Sequence, residues 1–181
     1  PKEIGCGPMF LEWLTDPVLN GGGAVVDFGC YGANLATWLL NGQQPVSVYA
    51  VLKQHKPAVY PRVDDDATIV VEYPGCTVQI MASWCWPENR KDMYVYGSQG
   101  SIFQLTPTQM ETRIDGKNSG RFEAPQLSAP YNDSFRFLRA VVRGEITLPP
   151  YDLSSLENNM MVVRILDAAQ RSARTGRPVK F

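Results

Sequence analysis

Between Gly21 and Leu40 the chain reads GGGAVVDFGCYGANLATWLL, with apolar residues at the three- and four-residue steps of an α-helix. Asp27, Tyr31, Asn34 and Trp38 fall at i, i+4, i+7 and i+11, so one long helix ending near Leu40, with Asn41-Gly42 as its exit, stacks three polar side chains in one row. A helix this apolar is expected to be buried over most of its surface, where each polar group needs a partner. Either the row is a site, or Asp27 caps a helix start and Tyr31 is a core residue with a satisfied hydroxyl. Gly29, Gly32, Ala33 and Ala36 lie in the same helix. Glycine weakens a helix by about 1 kcal/mol relative to alanine, which predicts a close neighbour against this backbone.

Upstream, Met9 to Thr15 predicts a short helix stopped by Asp16-Pro17. From Val46 the period falls to two, predicting strands over Val46–Lys53, Ala67–Tyr73, Cys76–Trp84, Met93–Tyr96, Ser101–Leu105 and Gln109–Ile114. Their short links, such as Tyr73-Pro74-Gly75, suit antiparallel neighbours. In the third strand Val78, Ile80, Ala82 and Trp84 point one way, and Thr77, Gln79, Met81 and Ser83 the other. A polar, Pro-rich loop is expected from Asp115 to Pro130. Two core-packing helices follow, one with the stripe Phe135, Leu138, Val142 and Gly144 as its close. The other opens on the capping box Ser154-x-x-Glu157 and carries Leu156, Met160, Val163, Leu166, Ala169 and Ala173. The expected class is α+β: an open, mainly antiparallel sheet with helices on one face and the other face available for contact with a second copy.

At 181 residues the chain is read as a single domain, which buries roughly 70% of its unfolded surface. Seventeen basic and eighteen acidic residues leave a net charge of −1, and no basic run exceeds Arg90-Lys91. Such a surface is a poor partner for nucleic acid or anionic membrane. No apolar stretch approaches the ~18 residues of a membrane span, so a soluble, cytoplasmic protein is expected. The abrupt start at PKEIGCGP looks like that of an excised domain.

Cys6, Cys30, Cys76 and Cys85 show no C-x-x-C spacing and read as reduced, buried thiols. His55, the single histidine, reads as solvated, as does the acidic run Asp64-Asp65-Asp66, whose adjacent carboxylates point in different directions. No metal site is expected. Neither Gly5-Cys6-Gly7-Pro8 nor Gly21-Gly22-Gly23 has the preceding strand and full motif of a phosphate cradle, so no cofactor is expected on this chain alone. Trp84, Trp86 and Tyr94 around Arg90 and Lys91 read either as sheet-edge packing or as a sugar-stacking, anion-holding rim.

The segment from Gly21 to Leu40 resembles the G-G-G-x-x-x-D-x-G-x-H-x-x-D-x-x-x-W-L pattern that opens the carboxy-terminal domain of the Gfo/Idh/MocA oxidoreductases. The order that follows, strands and then two terminal helices with Tyr96-Gly97-Ser98-Gln99-Gly100-Ser101 near the sheet's middle, is similar too. The resemblance implies that an amino-terminal Rossmann domain, absent from this chain, carries NAD or NADP. This half would supply the substrate site and the homo-oligomer contact, and the fragment alone would be inactive.

Tyr31 stands where the family most often has His, and Asn34 where it has Asp. That departure resembles the tyrosine branch, which includes glucose-fructose oxidoreductase and dihydrodiol dehydrogenase. The resemblance then implies Tyr31 as acid/base toward a sugar, polyol or related secondary alcohol, and Asp27 as the carboxylate that orients the hydroxyl or a lysine. That lysine, from an E-K-P sequence of the nucleotide domain, would lower the phenol's pKa from near 10. Asn34, Trp84, Arg90 and Lys91 are the candidate substrate contacts. Two other readings are an NAD-dependent glycoside hydrolase of the same family and a non-catalytic carbohydrate-binding or assembly module.

Overall fold

The computed structural model describes residues 7–181, in two compact units: residues 7–87 with 148–181, and residues 88–147. Gly5 and Cys6 of the Gly5-Cys6-Gly7-Pro8 motif lie outside the described residues. The first unit holds helices α1 (Pro8–Leu14), α2 (Ala24–Asp27), α3 (Gly29–Leu39) and α5 (Leu156–Thr175), with strands β1 (Ser47–Lys53), β2 (Asp66–Tyr73), β3 (Cys76–Ser83) and β8 (Val179–Lys180). The second holds β4 (Tyr94–Tyr96), β5 (Gly100–Gln104), β6 (Gln109–Ile114), β7 (Lys117–Glu123) and α4 (Ser134–Val142).

All strand pairing is antiparallel and the class is α+β, as the alternation predicts. One broad sheet is not formed. The strands divide into two four-stranded sheets, ordered β3-β2-β1-β8 and β4-β5-β6-β7. Nor is the stretch from Asp115 to Pro130 all loop: Asp115-Gly116, both at positive φ, turn the chain back so that β7 pairs with β6.

In the first unit, inward residues Val48, Ala50, Ile69, Val71, Ile80 and Ala82 meet α3 and α5 in one apolar cluster. Outward lie Tyr49, Val51 and Met81, in a face that is half polar through Thr68 and Gln79. The small residues of α3 do meet close neighbours: a Cβ on Gly32 would lie 2.6 Å from Ile80 Cγ2, and one on Gly29 3.3 Å from Ile69 and Leu166. Buried in this layer, the Tyr73 phenol is pushed up to about 12, the Cys76 thiol adding to the rise and Thr37 opposing it. A raised phenol stabilises the fold fully below the unfolded value near 10, and that contribution is lost as pH climbs toward 12. Thermal midpoints measured from pH 9 upward therefore fall more steeply in the native chain than in Tyr73→Phe, and parallel curves would contradict this.

On α4 the predicted stripe faces outward, and on α5 the predicted stripe is buried at Leu166 and Ala169 but exposed over the first half of the helix. The stripe Phe135, Leu138, Val142 of α4 is exposed, Phe135 at 83%, while Ala140 is buried and Phe137 packs its ring 5.6 Å from Tyr131. On α5, Leu156, Met160 and Val163 are exposed, and Met161, Val162, Ile165, Leu166, Ala168 and Ala169 face the sheet. Apolar residues adjacent in sequence, Met160-Met161 and Val162-Val163, satisfy the helical period in either phase, so periodicity alone does not choose the buried side. The α5 cap is one residue later than expected: Ser155, not Ser154, accepts the Asn158 N–H at 3.2 Å.

Candidate functional site

The row Asp27, Tyr31, Asn34 and Trp38 is carried by two helices. Phe28, at φ −109° and ψ −28°, stays right-handed but interrupts the ladder between α2 and α3. The Tyr31 N–H bonds the Phe28 carbonyl at 3.2 Å, three residues back, and the Asp27 carbonyl instead accepts from the Cys30 thiol at 3.3 Å. Asp27 and Tyr31 thus flank a break. Nor is α3 buried all round: Tyr31 is 51% exposed, with Trp38 and Leu39 nearly as open, and the Tyr31 ring centroid lies 6.2 Å from that of Phe28.

Asp27 is held from below. Trp84 Nε1 donates to Asp27 Oδ2 at 2.9 Å, across 57 residues of sequence. Trp84 is 5% exposed, its ring centroid 5.0 Å from that of Tyr60, in a cluster with Leu14, Ala24 and Val63. It is a core residue, which corrects its assignment to a sugar-stacking rim. The alternation of β3 already places Trp84 inward beside Ile80 and Ala82, and that signal outweighs its closeness in sequence to Arg90.

The turn before α2 is equally fixed. Ala24 N–H bonds the Asp64 carbonyl at 3.0 Å, while the Asp64 carboxylate accepts from Gly23 N–H at 3.1 Å and Val25 N–H at 2.7 Å. Burial raises the Asp64 pKa, and these N–H groups oppose the rise. Asp65, fully buried, accepts from the His55 and Lys56 N–H groups at 2.7 and 2.6 Å. The acidic run is therefore structural rather than a solvated loop, and sequence reasoning missed Asp64 as the cap of α2. His55 is exposed, 3.8 Å from Asp66. No cluster of metal-ligating groups occurs among the described residues.

This geometry also tests the chain against a dinucleotide. The glycine-led start of α2 is where a pyrophosphate would need backbone N–H groups, and the Asp64 carboxylate already takes two of them. A second anion does not fit there. The chain's residues supply no cofactor cradle at this helix start.

Asn34 donates its amide to the Leu153 carbonyl at 2.9 Å and to Asn159 Oδ1 at 3.4 Å, which ties α3 to the start of α5. Its side-chain Oδ1 is what it can offer a ligand, the backbone carbonyl accepting from Asn158 Nδ2 at 3.4 Å. In the second unit Arg90 Nη2 meets Asp92 Oδ2 at 2.6 Å, which raises the guanidinium and lowers the carboxyl, and Lys91 is exposed. Cys30, Cys76 and Cys85 are free thiols, but Cys76 is exposed and the other two half-buried, so the expectation of buried thiols fails. No helix of the described residues is long and apolar enough to cross a membrane.

Residues 7–103 match the family model described as GFO/IDH/MocA C-terminal domain. The chain is similar to the trans-1,2-dihydrobenzene-1,2-diol dehydrogenase of Xenopus laevis, 27% identical over 162 residues, covering 82% of this chain and 46% of that protein. Similarity to the human enzyme of that name is 26% over 121 residues, or 63% of this chain and 33% of that protein. Among solved structures, aldose-aldose oxidoreductase from Caulobacter crescentus complexed with glycerol superposes with a TM-score of 0.76 at 23% identity, over 99% of this chain and 52% of that one. GenD2 from gentamicin A biosynthesis in complex with NAD gives 0.61 at 19%, over 93% and 51%. The chain spans about half the length of the curated relatives it matches.

Proposed function

The chain belongs to the GFO/IDH/MocA family as a C-terminal domain, and from that premise we propose that it is the substrate half of an NAD(P)-dependent oxidoreductase. The substrate is a sugar, polyol or related secondary alcohol, and the compartment is the cytoplasm. One observation carries the reading: a half-exposed phenol, Tyr31, four residues after a carboxylate that the core holds by a hydrogen bond. The similarity to the dihydrodiol dehydrogenases supports a substrate with neighbouring hydroxyls.

Oxidising a secondary alcohol removes a hydride from carbon and a proton from oxygen. The nicotinamide, carried outside this chain by an amino-terminal domain, supplies the hydride acceptor. Tyr31 supplies the base, accepting the hydroxyl proton as a phenolate and returning it in the reverse direction. A free phenol, with a pKa near 10, is mostly protonated at neutral pH, so a cation from the nucleotide half belongs beside it. Asp27 orients that pair, and the Asn34 side-chain oxygen contacts another polar group of the substrate. Two copies associate through the outer face of the first sheet, around Tyr49, Val51 and Met81.

The test is nicotinamide absorbance in the full-length protein given NAD or NADP and a panel of sugars and vicinal diols. Reduced cofactor accumulates under this proposal. Release of a sugar from a glycoside with no net reduction would favour the hydrolase reading. The isolated chain, whose α2 start is already occupied by the Asp64 carboxylate, gives no turnover under this proposal, and measurable turnover by it would contradict the proposal.

A further inference from the structure

The geometry points to Trp84 as the positioning residue for Asp27, an inference that rests on the oxidoreductase reading above. The indole N–H is a donor only, and a buried tryptophan requires an acceptor. Here the acceptor is Asp27 Oδ2, at 2.9 Å.

Trp84 itself cannot adjust. Its backbone N–H bonds the Asp65 carbonyl at 2.8 Å, its carbonyl accepts from Lys56 Nζ at 3.4 Å, and its ring is clamped against Tyr60. Asp65 is in turn fixed by the His55 and Lys56 N–H groups. The chain of contacts therefore runs from a buried carboxylate through a rigid ring to the carboxylate beside Tyr31.

Nothing in α2 does the same. Asp27 is the last residue of a four-residue helix, where the exposed carbonyl ends disfavour a carboxylate, and the break at Phe28 follows it. Held by Oδ2, the carboxylate is fixed in one orientation four residues before Tyr31, with Oδ1 left outside that bond. Trp84 is 5% exposed and enclosed in the core, so its effect on the site passes through Asp27.

In the full-length enzyme, Trp84→Phe keeps the ring and removes the donor. A hydrogen bond to a charged group predicts a 10- to 100-fold fall in kcat, with KM within about twofold because ground-state binding is untouched. In an Asp27→Asn background the same change lowers kcat less than about twofold further, since both act through one carboxylate. A role in stability alone gives neither the kcat-against-KM split nor this non-additivity. Should the phenylalanine variant fail to fold, incorporation of 3-benzothienylalanine at position 84, which replaces N–H by sulfur at nearly constant ring size, makes the same test.

Tyr31→Phe, run in parallel, separates the two levels. Loss of activity in Tyr31→Phe with native kcat in the position-84 variants overturns the Trp84 assignment and leaves the reading intact. Native activity in Tyr31→Phe overturns both.

Discussion

Tyr31→Phe in the full-length protein lowers kcat by 100-fold or more and leaves KM within a few-fold. General acid–base groups contribute typically ~10²–10⁴ to rate, and the substitution removes one oxygen from a half-exposed ring. Its expected cost to stability is correspondingly small. The Phe28 ring contact at 6.2 Å survives, because phenylalanine keeps the aromatic face. Steady-state kinetics alongside a thermal melt check both halves of the expectation. An unchanged kcat would favour a carbohydrate-binding or assembly module, since such a domain needs no proton carrier at this position. A fall in kcat with a matching collapse of the melt would assign Tyr31 to structure.

Gly23→Ala is expected to be the most damaging single methyl in the first unit. A Cβ at this position lies 1.8 Å from the Asp64 carbonyl oxygen and 2.8 to 2.9 Å from the Asp64 backbone C and N. Backbone cannot swing aside as a side chain can. Overpacking typically costs about 1 to 3 kcal/mol, and the loss of the Asp64 hydrogen bonds to α2 adds to it, so roughly 3 kcal/mol or more is expected. The same displacement moves α2, which carries Asp27, so activity falls with stability. Gly75→Ala is the control: it has negative φ and no heavy atom within 4 Å of the added carbon, so its effect stays within about 0.5 kcal/mol. Urea unfolding midpoints of the two variants measure the difference, and equal midpoints would contradict it.

How far the sequence was legible depends on whether one side of an element stands out. Alternation or an apolar run between turn signals marks β1, β2, β3 and β6 to within a residue or two. The glycines of α3 also read correctly, as backbone approached by Ile80, Ile69 and Leu166. Where apolar residues lie on both sides, the phase is wrong for α4 at Phe135 and Leu138 and for the first half of α5 at Met160 and Val163, while Leu166 and Ala169 are buried as expected. β7 was illegible because KNSGRFE is exposed along its whole length and has no alternation to detect.

At the site, Asp27 and Tyr31 are visible in the sequence, but what holds them is not. Trp84 and Asp64 reach α2 from 57 and about 40 residues away, Asp64 at separations of 39 and 41 in its two side-chain bonds. Local spacing carries no information on such pairs. The break at Phe28 was hidden for the opposite reason: its dihedrals remain helical, so the residue pattern runs through it unchanged.

The central claim is that the Tyr31 hydroxyl meets the alcohol that is oxidised. A crystal structure of the full-length protein with nicotinamide cofactor and a polyol or its unreactive analogue measures that contact directly. The account predicts Tyr31 Oη within about 3 Å of a substrate hydroxyl whose carbon faces the nicotinamide ring, with Asp27 still bonded to Trp84. A polyol seated against the nicotinamide with Tyr31 turned away from every substrate oxygen would contradict it.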